Sequence, residues 1–290
     1  MNINILCLLL FPPFFLASQT VSYKIYSTEN KQEISLEDLA AAVVETDVLV
    51  FGEQHDDSLA HALQDKIYAM LLDQYGTVTL SMEMFETDGQ LILDEYLAGH
   101  ITESKMTNDT RAWGNYQTDY RSMVELAKKK KQVVIAANAP RRYVNMVSRL
   151  GLASLGNLSK DSKKLIAKLP IDTKDEGYYK RFKEIMGGHM SSIGMNIYHA
   201  QCVWDATMAD RIYQHWKKHK KERIFHLTGR FHSDYQQGTI TQLRRLNKKI
   251  RVKNISCFPI PDFEQPNWDN YADLGDFLIV SQEKIEVPTP

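Results

Sequence analysis

The sequence has no excess of charge of either sign, and this removes one broad class of function. Its 290 residues include 35 basic and 36 acidic side chains, which gives a formal net charge of -1. A protein that binds nucleic acid usually carries a strongly basic face. Two short lysine runs, 128–131 and 217–221, each end a helical pattern, where the helix dipole favours cations on a solvated surface. We therefore expect no nucleic-acid partner.

Cysteine is scarce, with three in the whole chain. Cys7 falls in the opening apolar segment, which leaves Cys202 in a helical pattern and Cys257 in a strand pattern. The sequence alone does not bring these two together, as a disulfide requires. We predict two small buried residues rather than a disulfide.

The opening segment lacks charge. It reads "NILCLLLFPPFFLAS", is interrupted by two prolines and is followed by the polar stretch "QTVSYK". It is too short for a spanning helix and resembles the core of a signal peptide with a small-residue end at Ala17-Ser18. Residues 1–18 are therefore a predicted signal peptide, and we expect an exported protein that is periplasmic or membrane-associated. The residues before Cys7 are a poor lipobox, so a lipid anchor has little support.

Short β-type runs alternate with helical stretches along most of the chain. The strand predictions are residues 47–53, 77–84, 132–138, 223–229, 250–258 and 276–280. The first four runs are almost continuously apolar, as expected of strands buried on both faces of a parallel sheet. Helical patterns lie between the first two strands, where Gly76 is the expected stop, and before the third. The alternation predicts an α/β fold, with a mostly parallel central sheet flanked by helices.

Residues 139–222 interrupt this alternation, because they contain helical patterns and no convincing strand. We predict an α/β core formed by residues 19–138 and 223–290, with 139–222 as a helical insertion, or lid, between the third and fourth strands. The longest helix is predicted over 196–219 from its apolar stripe. Tyr198, Gln201 and Asp205 lie on an adjacent face of that helix, where they form either a structural hydrogen-bond network or the lining of a pocket.

Polar side chains end all four of the apolar strands. The ends are Gly52-Glu53-Gln54-His55-Asp56, Glu83-Met84-Phe85-Glu86, Asn138-Ala139-Pro140-Arg141-Arg142 and Thr228-Gly229-Arg230-Phe231-His232. In open α/β sheets, ligands bind beyond the carboxyl ends of the strands. Asp56 or Asp57 is also a good N-cap for the helix that follows. Gly52 is expected to allow a close turn that directs Glu53 and His55 into the crevice.

Two uses of Glu53, His55, Glu83 and His232 remain open. Imidazole and carboxylate groups could hold a divalent metal ion such as zinc, manganese or iron, which would generate a hydroxide nucleophile. Alternatively, a histidine could act as a general base without metal, oriented by a glutamate. The chain has no HExxH helix, no GxSxG elbow and no glycine-rich phosphate loop.

A third use comes from the aromatic residues of the insertion. Haem iron can be held by His or Tyr, with an Arg or His on the propionates. The candidate residues for such a site are Tyr178, Tyr179, Tyr198, His189, His199 and Arg141.

Five sequence blocks resemble one known family. They are "VFGEQHDD...H..Q", "SMEMFETDGQ..LDEYLAG", "W.NYQTDYRSMVELAKKKKQVVIAANAPRRYV", "YHAQCVWDATMAD" and "HLTGRFHSDYQQGT". Together they are similar to the ChaN-like family of haem-binding uptake proteins, which belongs to a wider superfamily with Tiki proteases and erythromycin esterases. The resemblance extends from about residue 47 to residue 258.

The resemblance implies an exported bacterial protein of iron and haem uptake. It implies haem held near the insertion by a Tyr with assistance from His, in a homodimer with haem between its subunits, and contact with outer-membrane haem transport machinery. Enzymes of the superfamily imply an alternative, a metal-dependent hydrolase of the protease or esterase type that uses Glu53, His55, Glu83 and His232. The missing lipobox departs from a family that is often lipid-anchored.

Overall fold

The structure is a computed structural model that describes residues 23–282, so the predicted signal peptide lies outside the described residues. Its strands are β1 (Tyr23–Ser27), β2 (Gln32–Ile34), β3 (Val48–Glu53), β4 (Val78–Glu86), β5 (Val134–Asn138), β6 (Arg223–Gly229), β7 (Val252–Ile260) and β8 (Phe277–Gln282). They form one eight-stranded sheet in the order β2-β1-β8-β7-β3-β6-β4-β5.

The helices alternate with these strands and then cluster between β5 and β6. They are α1 (Leu36–Ala42), α2 (Ser58–Tyr75), α3 (Gln90–Leu97), α4 (Glu103–Asp109), α5 (Arg121–Lys129), α6 (Arg141–Leu150), α7 (Lys160–Lys163), α8 (Glu176–Ile185), α9 (Ser192–Lys218) and α10 (Thr239–Leu246). Within residues 23–282, no helix is long and apolar enough to cross a membrane.

The six strands from β8 to β5 pair in parallel, which confirms the predicted fold class. The antiparallel edge formed by β1 and β2 was not predicted. It pairs with β8, so the chain's first described strand lies next to its last one.

Helices cover both faces of the sheet. An apolar cluster on one face packs α1 to α5 against the strands, with Leu63, Ile67 and Leu71 of α2 at its centre. Helix α2 begins where Asp57 accepts a hydrogen bond from the Leu59 N–H, and it ends at Gly76 with φ +76°. The predicted cap and stop of this helix are confirmed.

The insertion has an apolar cluster of its own, and α9 connects that cluster to the sheet. The first half of α9 packs in the insertion through Ala200 and Val203. Its second half packs against β3 and β6 through Ile212 and Trp216. One 27-residue helix thus extends from the tip of the insertion to the sheet.

Both cysteines in the described residues are buried and free. Cys202 lies in α9 and Cys257 lies in β7, which confirms the prediction of two buried thiols without a disulfide.

Candidate functional site

The carboxyl ends of three neighbouring strands bring the predicted polar residues together. Strand β6 lies between β3 and β4, and Glu53 pairs in register with Gly229. Because the strands are parallel, their ends open at the same sheet edge. Glu53, His55, Glu83 and His232 therefore form one group, which we call the strand-end cluster.

The carboxylate of Glu53 is buried and fully hydrogen-bonded. It accepts hydrogen bonds from Tyr120 Oη at 2.5 Å and from the Gln64 amide, and its Oε1 lies 2.7 Å from His55 Nδ1. His61 Nε2 lies 3.6 Å from the other oxygen. Burial alone would raise the pKa of Glu53, but these donors, His55 first, lower it to about 2. Glu53 is therefore a fixed anion.

His55 connects this buried anion to solvent. Its side chain is 44% exposed, and its ring packs edge-on against Trp113 at 4.9 Å between centroids. Burial lowers its pKa, but the hydrogen bond to Glu53 and the charge of Glu83 outweigh this and raise the pKa above 6.5. Among the described residues, Nε2 has no hydrogen-bond partner, so it is free to exchange a proton with a ligand or water.

Two glycines let the chain approach closely at this edge. A Cβ on Gly229 would lie 2.7 Å from His55 Nε2, so the missing side chain makes room for the imidazole. A Cβ on Gly52 would collide with Ser233 Oγ and lie 3.0 Å from Arg230 Cα. Gly52 thus permits close packing of the segment after β6. From the sequence we had expected it to allow a close turn before Glu53 and His55.

Glu83 is a second buried carboxylate. Its Oε2 accepts hydrogen bonds from Thr228 Oγ1 at 2.6 Å and from the Gly229 N–H at 2.8 Å. Its Oε1 lies 3.6 Å from His232 Nε2. Burial acts to raise its pKa, but the charges of His232 and His55 and these hydrogen bonds lower it.

His232 lies between Glu83 and a carboxylate of the insertion. Its Nδ1 is 2.8 Å from Asp205 Oδ1, and Asp205 also accepts hydrogen bonds from Tyr178 Oη at 2.6 Å and Thr239 Oγ1 at 3.0 Å. Burial alone would lower the pKa of His232, but Glu83 and Asp205 raise it to about 9. His232 is thus a buried cation at neutral pH.

Two of the three polar residues predicted on one face of α9, Gln201 and Asp205, take part in this network. Gln201 lies with its amide 3.1 Å from His232 Nε2, and Asp205 holds the other ring nitrogen. Tyr198 does not reach the network, because its hydroxyl donates to Thr173 O at 3.1 Å.

Other strand-end residues form a separate ion-pair group. Glu86 pairs with Arg111 at 2.8 Å and with Arg141, and Asp88 pairs with Arg111 and Arg142. Arg141 therefore lies at the end of β5 in a carboxylate–guanidinium network, away from the strand-end cluster.

The aromatic and imidazole candidates of the insertion differ in their accessibility. Tyr178 and Tyr198 are buried, and burial is the first cause that raises the pKa of each hydroxyl far above 10. Tyr179 is half-buried, with its ring edge-on to Tyr198 at 5.1 Å. His189 is exposed. His199 is half-buried, its Nδ1 has no hydrogen-bond partner, and burial lowers its pKa below 6.5.

Large apolar side chains are exposed where the helices of the insertion end. Leu150, Ile185, Met186 and Ile193 are 64, 67, 41 and 67% exposed, respectively. The end of α6 lies next to the start of α9, because a Cβ on Gly151 would be 3.3 Å from Asn196 Oδ1. We call these four side chains the apolar tip.

A second group of ionisable side chains in residues 23–282 has the spacing of metal ligands. It is formed by His215, His219 and Glu222, whose ligand atoms all lie within 4.8 Å of one another. Both carboxylates of the strand-end cluster already accept protein hydrogen bonds. A metal ion at this cluster would have to compete with those hydrogen bonds.

Sequence reasoning missed three residues that bind Glu53. His61 and Gln64 lie on α2, three residues apart on one helix face, and Tyr120 precedes α5. The signal for the first two was present in the block "VFGEQHDD...H..Q", whose last two letters are these residues. Tyr120 has no such local signal.

Comparison with known proteins shows similarity to one protein family over most of the chain. Residues 39–243 match the sequence model of a family described as haem-binding uptake, Tiki superfamily, ChaN. ChaN of Campylobacter jejuni, a structure with cofacial haem binding, is 18% identical, with a TM-score of 0.67 over 90% of this chain and 97% of that chain. A search of curated proteins gives no match.

A more distant structural similarity extends to an esterase. A mutant of the erythromycin esterase EreC in its open conformation is 10% identical, with a TM-score of 0.47 over 90% of this chain and 83% of that chain. A similarity this distant transfers no property to this chain.

Proposed function

Because the chain belongs to the haem-binding uptake family of the Tiki superfamily, we propose that it binds haem on the apolar tip of the insertion. Haem has two broad apolar faces, and a monomeric soluble protein rarely exposes a contiguous apolar patch without a ligand or partner for it. The observation that carries the proposal is the exposure of Leu150, Ile185, Met186 and Ile193, which lie at the ends of α6 and α8 and at the start of α9.

Tyr179 and His199 are the iron ligands that this position favours. Tyr179 is on α8, seven residues before Met186, which directly follows that helix. His199 follows Asn196 by three residues on α9. Tyr179 has no hydroxyl partner among the described residues, and the lowered pKa of His199 keeps its imidazole neutral. Tyr or His can hold haem iron.

The remaining candidates have other roles in this proposal. Tyr178 would have to break its hydrogen bond to Asp205, and Tyr198 its bond to Thr173 O, before either could bind iron. Arg141 begins α6 and pairs with Glu86, about 14 Å along the helix from Leu150. His189, in the exposed connection before α9, is a second imidazole that could assist at the tip.

Haem titration followed by visible spectroscopy tests the ligand assignment. Tyr179→Phe keeps the ring that packs on Tyr198 and removes only the hydroxyl. We expect this variant or His199→Ala to shift the Soret band and to weaken haem binding at least 10-fold, about 1.4 kcal/mol. Tyr213→Phe, on the sheet half of α9, is the matched control. Identical spectra for all variants would remove these two residues from the iron.

Export, dimerisation and delivery of haem belong to the same proposal. An uptake function requires a haem-bearing compartment, which agrees with the signal-peptide-like opening of the sequence. Exposed apolar tips from two copies could enclose haem more fully than one tip, and the homodimer would then pass it to outer-membrane haem transport machinery. Analytical ultracentrifugation with and without haem tests the dimer.

A second candidate function is hydrolysis at the strand-end cluster. Two carboxylate–histidine pairs, Glu53–His55 and Asp205–His232, lie on either side of Glu83. In a hydrolytic step, neutral His55 Nε2 would take a proton from water while the water oxygen bonds to a carbonyl carbon. The cationic His232 would stabilise the resulting oxyanion. His55 would then return the proton to the leaving group as the C–O or C–N bond breaks.

Ester or peptide hydrolysis with and without a chelator tests this second candidate. We favour the metal-free form, because both carboxylates are already hydrogen-bonded, and expect His55→Ala to lower kcat at least 100-fold. The rate should rise with pH through the raised pKa of His55, since the general base must be neutral. Loss of activity on chelation would instead favour a divalent metal ion held by Glu53, His55, Glu83 and His232.

A further inference from the structure

A second group of ionisable side chains lies at the opposite ends of the strands from the strand-end cluster. His215 is on the last turn of α9, His219 directly follows that helix, and Glu222 directly precedes β6. The seven residues of β6 separate this group from Gly229 by roughly 20 Å. We propose that His215, His219 and Glu222 form a binding site for a late first-row divalent metal ion of the zinc class.

The three side chains converge as ligands do. His215 Nε2 lies 3.0 Å from Glu222 Oε2, and His219 Nδ1 lies 3.1 Å from Glu222 Oε1. One ligand atom from each residue lies within 4.8 Å of the others. Adjacent ligands of a tetrahedral zinc ion are about 3.3 Å apart, given metal–ligand bonds near 2.0 Å. Small rotations of the side chains would therefore admit the ion.

Local structure holds this group in place. His215 and His219 are four residues apart at the end of α9, and their rings stack 4.5 Å apart with 12° between planes. The Glu222 N–H donates to His219 O at 2.9 Å, which fixes the carboxylate beside the imidazoles. Backbone geometry thus positions all three ligands before a metal arrives.

A neighbouring hydroxyl can replace the contact that His215 gives up when it binds a metal ion. The hydroxyl of Thr79 lies 2.9 Å from His215 Nε2 and 3.2 Å from Glu222 Oε2, so it can turn to the carboxylate when the nitrogen binds metal.

The donor set indicates the class of ion and leaves room for an outer ligand. Two imidazoles and one carboxylate suit zinc or a similar transition metal rather than calcium or magnesium. His215 is almost buried, whereas the His219 side chain is 44% exposed, so a fourth position opens to solvent. The ion would clamp the end of α9 to the edge of β4 and β6.

Zinc titration of the full chain, purified without a histidine tag and stripped of metal, tests this site. We expect His219→Ala and Glu222→Gln each to lose one zinc equivalent, with affinity at that site reduced at least about 100-fold. His100→Ala removes an exposed histidine elsewhere and should keep the wild-type stoichiometry. In the wild type, and not in the first two variants, zinc should raise the thermal midpoint.

Two results would overturn the proposal. One is a wild-type protein that binds no zinc although His219→Ala and Glu222→Gln are less stable, which would make the group a hydrogen-bond network only. The other is unchanged zinc stoichiometry in both variants, which would place the ion elsewhere. Circular dichroism of the variants establishes that they are folded, and His219→Ala, at an exposed position, is the safer of the two.

Discussion

His232 Nδ1 lies 2.8 Å from Asp205 Oδ1, and this contact joins the carboxyl end of β6 to the middle of α9. The same helix begins beside the apolar tip and ends at Lys218, directly before His219. Helix α9 therefore connects the proposed haem surface, the strand-end cluster and the proposed metal site. A substitution of Asp205 directly affects Tyr178, Thr239 and His232, because all three hydrogen-bond to its carboxylate.

Asp205→Asn should destabilise the protein by about 3 kcal/mol, because it removes the nearer of the two carboxylates that pair with the buried His232. The free energy of unfolding from urea titration at pH 7 measures this. Asp109→Asn removes an exposed carboxylate that pairs with Lys105 and should change stability by less than about 0.5 kcal/mol. Equal effects of the two variants would contradict a buried ion pair at His232.

His232 should titrate near pH 9 by NMR, and Glu83→Gln should lower that pKa because it removes the largest charge that raises it. Since the folded pKa lies above 6.5, the stability from His232 is fully present below pH 6.5. It is lost as the pH rises through about 9. A wild-type titration near 6.5 would show that the two carboxylates do not hold a proton on this ring.

Glu53→Gln should destabilise the protein most at neutral pH and less in acid. The pKa of Glu53 falls from 4.5 to about 2 on folding, which corresponds to about 3 kcal/mol. That stability is present above pH 4.5 and is lost as the pH falls through about 2. Urea unfolding of both proteins at several pH values measures the difference, and a gap that stays constant down to pH 2 would contradict the assignment.

Gly229→Ala should displace the His55 ring, because the new Cβ would lie 2.7 Å from its Nε2. His55 is partly exposed and can move, so the stability cost should be only about 1 kcal/mol. Fluorescence of Trp113, which packs on the ring, and the NMR pKa of His55 report the displacement. Gly114→Ala, where a Cβ meets nothing within 4 Å, is the control and should alter neither.

The central fold could be predicted from the sequence because its signals are local. The apolar runs of β3 and β6 indicated strands buried on both faces, and Asp57 and Gly76 marked the ends of α2. Strands β1 and β2 were not predicted, since they are short and partly polar. They gain their stability from β8, which lies at the other end of the sequence.

The site could be predicted only in part, because only some of its contacts are local in sequence. The position of Glu53, His55, Glu83 and His232 follows from a rule about strand ends. Their chemistry depends on Gln64, which is 11 residues from Glu53, and on Tyr120 and Asp205, which are distant in sequence from the residues they contact. Likewise, the apolar tip depends on which faces of α6, α8 and α9 remain uncovered.

A comparison of haem affinity between one variant at each site tests the account most directly. Ile193→Asp places a charge on the apolar tip without touching the core, and His55→Ala alters only the strand-end cluster. We predict stoichiometric haem binding by the wild type, affinity at least 10-fold weaker in Ile193→Asp and unchanged affinity in His55→Ala. Loss of haem binding in His55→Ala with none in Ile193→Asp would contradict the placement of haem on the insertion.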